Sequence, residues 1–136
     1  MINQKIENRY LPKDYTINGF CLVEGLISTD KVSKIKKELK DIIKKNLKLR
    51  KRDLNLVDKE VNSLHGLSRY NKFFKEFFKN KKISNLCNAL LKKKAIFREA
   101  EYFAKPKYKG LRSPYHQDNF YWNIKGGNAL TIWIAL

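Results

Sequence analysis

His116 and Asp118, separated by Gln117, are the residues of this chain best placed by type and spacing to do chemistry. On an extended strand, side chains two apart leave the same face, so an imidazole and a carboxylate at this spacing can converge on one point. A neutral imidazole and a monodentate carboxylate supply two corners of the 2-His-1-carboxylate arrangement, which leaves three positions on Fe(II) open for a co-substrate and oxygen. The same residues also read as a loop His and a strand-end Asp engaged in ordinary hydrogen bonds, because an HxD sequence is common by chance.

The remaining reactive side chains carry less. Cys21 and Cys87 stand far apart and form no CxxC pair, which fits two free thiols in a reducing compartment. Cys87 falls on an apolar helical stripe and reads as a small core residue. His65 lies in a polar stretch upstream and reads as a surface or helix-start residue. Tyr70, Phe73, Phe74, Phe77 and Phe78 make an aromatic face whose helical spacing is explained by core packing.

The elements that would position these residues change character along the chain. Residues 15–24 bracket Asn18-Gly19 with apolar side chains and read as a short strand entered through a turn. Ser28 is a good N-cap, Ile27 and Val32 can form a hydrophobic staple, and Asp30 lies in the first turn. Val32, Ile35, Leu39, Ile42, Ile43 and Leu47 then recur at helical spacing, with a Lys-rich outer face. Residues 50–67 are mixed and read as loop or short helix. The aromatic helix follows, then a third helix carrying Ile83, Leu86, Cys87, Leu90 and Leu91.

After Lys94 the period becomes two. Residues 95–105 put Phe97, Glu99, Glu101, Phe103 and Lys105 on one face, and Pro106 ends the run. Residues 107–114 read as a loop and 115–122 as a second strand, with a turn at Gly126-Gly127. Residues 129–136 form a third strand, with Leu130, Ile132, Ile134 and Leu136 on one face and Thr131, Trp133 and Ala135 on the other. Helices first and antiparallel strands after them give an α+β class.

At 136 residues the chain is the size of one domain, helical in the main to residue 94 and β-like from 95 to 136. The eight Phe, seven Tyr and two Trp can fill a core, which excludes a disordered chain. No window is apolar enough to span a membrane, and residues 1–10 lack the apolar stretch of a secretory signal, so a cytoplasmic location is expected. The formal charge of +17 comes from 24 Lys and 6 Arg spread along the whole chain. Such a field attracts polyanions non-specifically and resists compaction. No zinc finger, RNA-binding signature or Arg–aromatic platform accompanies it, so no specific nucleic-acid partner is expected.

Three runs taken together resemble the phytanoyl-CoA dioxygenase family: residues 103–106 (FAKP), 115–122 (YHQDNFYW) and 128–136 (NALTIWIAL). Residues 19–43 also look like that family's opening strand and helix, whereas residues 44–94 are generic. The resemblance implies an Fe(II)- and 2-oxoglutarate-dependent oxygenase that hydroxylates a small organic substrate, on a double-stranded β-helix, or jelly roll. It implies His116 and Asp118 as iron ligands, with no catalytic residue beyond them, and Gln117 and Trp133 near 2-oxoglutarate. For Trp133, packing between sheets is the competing reading. Related halogenating enzymes carry a small residue where Asp118 stands, so Asp118 implies hydroxylation.

Two departures from the family pattern stand out. Glu101 lies where some members have a neutral residue facing the cofactor, and an acid there would repel a dicarboxylate unless a Lys compensates. The family's third ligand is a His well downstream, followed by an Arg that pairs with 2-oxoglutarate, yet no His follows Asp118 here. The sequence therefore reads as the first part of a jelly roll, apparently truncated and inactive alone, with a complementary C-terminal fragment as an expected partner. The alternative is a non-catalytic remnant, or a basic binding protein built on the half-domain.

Overall fold

The computed structural model describes residues 11–45, 49–105, 108–109, 112–126 and 128–136. The sequence readings that fall on residues 1–10, Leu47, Pro106 and Gly127 lie outside them. Helix α1 (Leu11–Asn18) occupies part of the stretch expected as a strand. Asn-Gly is turn chemistry, but here it ends a helix: Gly19, at φ 76°, donates its N–H to the carbonyl of Tyr15 at 2.9 Å. A positive φ just after the last helical residue closes helices as readily as it opens hairpins.

Helix α2 (Thr29–Lys44) forms where expected, and its capping is the expected one. Ser28 is extended at φ −70°, ψ 156°, and its Oγ accepts from the Lys31 N–H. The stripe faces inward: Ile35, Leu39 and Ile42 are buried, and Ile27 packs on the same core.

Residues 51–64 depart from the loop reading. A 3-10 turn (Lys51–Asp53) leads into a hairpin of β1 (Leu54–Val57) and β2 (Glu60–Leu64). The strands pair antiparallel from Leu54↔Leu64 to Val57↔Glu60, with a bulge beside Asn55. Asp58 and Lys59 both have positive φ, 49° and 67°, as a two-residue hairpin turn matching the strand twist requires. Strand β3 (Tyr102–Phe103) adds to β2 through Ser63↔Phe103 and Leu64↔Tyr102, giving an open sheet of order β1-β2-β3.

Three short helices join the hairpin to β3: α3 (Leu67–Tyr70), α4 (Lys72–Phe77) and α5 (Lys81–Leu91). The aromatic face is core, with Phe74 and Phe77 buried beside Leu64, Leu67, Ile83 and Ala100. Burying each such side chain contributes about 1.5–3 kcal/mol. A polar latch ties hairpin to helix. Buried Asp53 accepts from the Tyr70 hydroxyl at 2.5 Å and from Arg69 Nη2 at 3.1 Å, while Arg69 Nη1 reaches Glu99 at 2.7 Å. Burial pushes the Asp53 carboxyl up, but the hydrogen bonds from Tyr70 and Arg69 outweigh it and hold it below the usual carboxylate range.

The β region expected over 95–136 is much reduced among the described residues. Of 95–105 only Tyr102 and Phe103 join a ladder. The preceding residues find other partners: the Ala95 N–H donates to the Asn88 side chain, Ala100 C=O accepts from Leu67, and Glu99 bonds Ser68 and Arg69. Residues 115–122 are no strand, because the chain turns at Asp118 into α6 (Asn119–Trp122). Residues 128–136 carry no ladder, yet Ile132 and Ile134 pack on the core and Thr131 and Trp133 are exposed. The class is α+β with an open three-stranded antiparallel sheet; these residues close no jelly roll. No helix among them is long and apolar enough to cross a membrane.

Candidate metal centre

The convergence of His116 and Asp118 comes from a turn, which corrects the strand geometry expected for them. Asp118 has helical dihedrals, φ −55° and ψ −31°, and its carbonyl accepts from Tyr121 and Trp122 at 3.0 and 3.1 Å. Asn119 braces the far end of the turn, accepting from Ile124 N–H at 2.9 Å and donating to Ile124 C=O at 3.2 Å. Asp and Asn favour such local side-chain bonds over a ladder. The turn brings His116 Nε2 to 3.4 Å from Asp118 Oδ1, with the two side chains 41% and 37% exposed.

Both side chains are held from behind. His116 Nδ1 lies 2.8 Å from the carbonyl oxygen of Pro114. A carbonyl can only accept, so Nδ1 carries the proton, and the lone pair of a neutral ring is on Nε2. Asp118 Oδ2 accepts from Thr131 Oγ1 at 2.6 Å, which leaves Oδ1 to face the ring. The Tyr121 ring stands edge-on to His116, with centroids 5.7 Å apart.

In the neutral ring the Nε2 lone pair faces an anionic oxygen, an arrangement relieved by a cation between them, whether a proton or a metal ion. Nitrogen and oxygen donors bind first-row metals at about 2.0–2.2 Å, so two donors at right angles on one ion lie roughly 3 Å apart. The observed 3.4 Å is close to that separation. A ring N–H spent on a backbone carbonyl is also how metal-binding histidines are commonly oriented. The pair fits two ligands of a metal. Among the described residues, no group of three His, Cys, Asp or Glu side chains could hold one.

Gln117 and Trp133 line the same open cavity as the pair, a space of about 970 Å³ walled by α1, the 20–27 segment and residues 129–135. Its described lining contains no Lys or Arg despite the chain's charge of +17. Trp133 is 75% exposed and leans on Phe103, centroids 5.7 Å apart, so it packs on one side and borders the cavity on the other. Cys21 lies in the same wall, and burial, then the charge of Asp14, pushes its thiol up. Cys87 is pushed up by burial, as a core thiol would be. Both cysteines are free.

Glu101 does not border this cavity. It lines a second one, of about 920 Å³, on the other side of residues 131–135. Its carboxylate pairs with His65 Nδ1 at 2.9 Å, and His65 Nε2 meets Ser63 Oγ at 3.1 Å. Among the described residues the partner for Glu101 is therefore an imidazole, not a Lys, and His65 bridges β2 to the segment before β3. Sequence reasoning missed Thr131 and Pro114. The signal for Thr131 was its polar side chain within an apolar run, on the same face as Trp133.

The phytanoyl-CoA dioxygenase (PhyH) family model matches residues 15–136. The chain belongs to the phytanoyl-CoA dioxygenase family. The match spans the end of α1, the hairpin and the His116–Asp118 turn together, so membership rests on far more than one HxD sequence. No curated protein and no solved structure matches the chain. As a phytanoyl-CoA dioxygenase family protein it is of a dioxygenase kind at family level.

Proposed function

We propose that this chain carries the iron-binding turn of an Fe(II)- and 2-oxoglutarate-dependent dioxygenase that hydroxylates a small organic substrate. The observation that carries the reading is the placement of the His116 ring between Pro114 and Asp118. Pro114 C=O holds Nδ1 at 2.8 Å, which leaves Nε2, 3.4 Å from Asp118 Oδ1, as the ring nitrogen free to bind a metal when the ring is neutral. His116 and Asp118 would hold Fe(II), and Gln117 and Trp133, on the wall of the same cavity, would contact 2-oxoglutarate. The bound iron would supply oxygen activation coupled to decarboxylation of the keto acid. The chain's own residues orient the two ligands, through Pro114 and Thr131, and leave one face of the pair open to the cavity.

No His follows Asp118 in these 136 residues, and no Lys or Arg is found among the described residues lining the cavity. In this reading a complementary segment supplies the third ligand and the cation that clamps the keto acid, and the 136 residues alone hold both weakly. Anaerobic addition of Fe(II) and 2-oxoglutarate tests this, since a keto acid chelated to Fe(II) gives a visible charge-transfer band. A faint band is expected, lost in His116→Ala and in Asp118→Ala. A band of unchanged strength in either variant would overturn the reading.

A further inference from the structure

We infer that Thr131 is a positioning residue for Asp118, setting which carboxylate oxygen the metal meets; this rests on the metal-site reading above. The hydroxyl of Thr131 lies 2.6 Å from Asp118 Oδ2, across thirteen residues of chain. Asp118 Oδ1 is the oxygen turned to His116. With Oδ2 engaged, the carboxylate cannot swing to offer both oxygens to one ion, and it is held as a monodentate ligand. A carboxylate bound through one oxygen leaves a further position on the ion open, which a site taking both a co-substrate and oxygen requires.

Thr131 is itself fixed in place. Its neighbour Ile132 and the next residue on that face, Ile134, pack against the buried cluster, so the alternation of the segment turns Thr131 outward toward the turn. Thr131 thus links the position of the metal ligand to the packing of the core. Its hydroxyl donates to an anion, so a methyl group in its place keeps the shape and loses the bond.

The test is Co(II) binding by the 136-residue chain, followed by visible absorption, in the wild type, Thr131→Val, Thr131→Ser and His116→Ala. Outer partners of metal ligands are worth about 10- to 100-fold in affinity, and the partial exposure of Asp118 puts the expected loss in Thr131→Val at about tenfold. The absorption of the Val variant should weaken as well, because a freed carboxylate that binds through both oxygens raises the coordination number. Thr131→Ser should restore affinity and spectrum, and the melting of the metal-free chain should be alike in wild type and both Thr131 variants. Wild-type affinity and spectrum in Thr131→Val, with binding still lost in His116→Ala, would overturn the role of Thr131 and leave the metal site standing. Binding that His116→Ala does not weaken would overturn the metal site and this inference with it.

Discussion

His116 Nε2 faces Asp118 Oδ1 at 3.4 Å, and each residue is held by a partner on its other side. Pro114 accepts the ring proton at 2.8 Å and Thr131 donates to the far carboxylate oxygen at 2.6 Å. Two donors held 3.4 Å apart in this way would need little reordering to share a cation. Preparation of that kind lowers the ordering cost of binding.

The 136-residue chain is expected to form no succinate from 2-oxoglutarate above a protein-free control, because the pair supplies two ligands and the cavity's described lining no cation. Oxygen-dependent succinate formation by the pure chain, abolished in His116→Ala, would show that two ligands suffice.

Stability is expected to fall at low pH through Asp53. Its folded carboxyl titrates lower than in the unfolded chain, where the value is about 3.9. The latch with Tyr70 and Arg69 is therefore at full strength above that value. It weakens as pH drops below it and is lost as pH falls through the lower folded value. Asp53→Asn should cost about 1–3 kcal/mol at pH 7, and the gap from wild type should narrow below about pH 4. Urea midpoints of both proteins between pH 7 and pH 3 check this; a constant gap would remove the charge from the account.

Association should rise with salt. Phe20, Leu22, Phe120 and Trp133 are 71%, 78%, 83% and 75% exposed, while a charge of +17 keeps copies apart. At about 0.1 M salt the screening length is about 10 Å, and it shortens further at higher salt. Sedimentation at low and high salt should show a shift from monomer to larger species; a monomer at both would contradict it.

What the sequence made legible follows from how each residue is held. The Ser28 cap, the α2 stripe and the aromatic core were readable because helix spacing and burial act together at Ile35, Leu39 and Phe74. The β1–β2 hairpin was not, since Asp58-Lys59 takes two positive φ values without the Asn-Gly or Asp-Gly chemistry that signals such a turn. The apolar period of residues 129–136 places Ile132 and Ile134 inward. That of 95–105 fails at Ile96, which shares a face with buried Ala100 yet is 89% exposed. A ladder also needs a neighbouring strand, and periodicity cannot supply one. His116 and Asp118 were singled out by type and spacing, and the structure brings them together through a turn instead of the expected strand. A turn and a strand can both bring residues two apart together, and only the bonds of Asn119 and the Asp118 carbonyl distinguish them.

The most direct test of the shared site is paramagnetic broadening by Mn(II) in a two-dimensional amide spectrum of the isotope-labelled chain. Substoichiometric Mn(II) should first erase the amides of His116, Gln117, Asp118 and Asn119 together with that of Thr131, whose hydroxyl bonds Asp118. The loss should vanish in His116→Ala. Broadening that begins instead around Asp53 and Glu99, or that persists at Asp118 in His116→Ala, would contradict a metal site shared by His116 and Asp118.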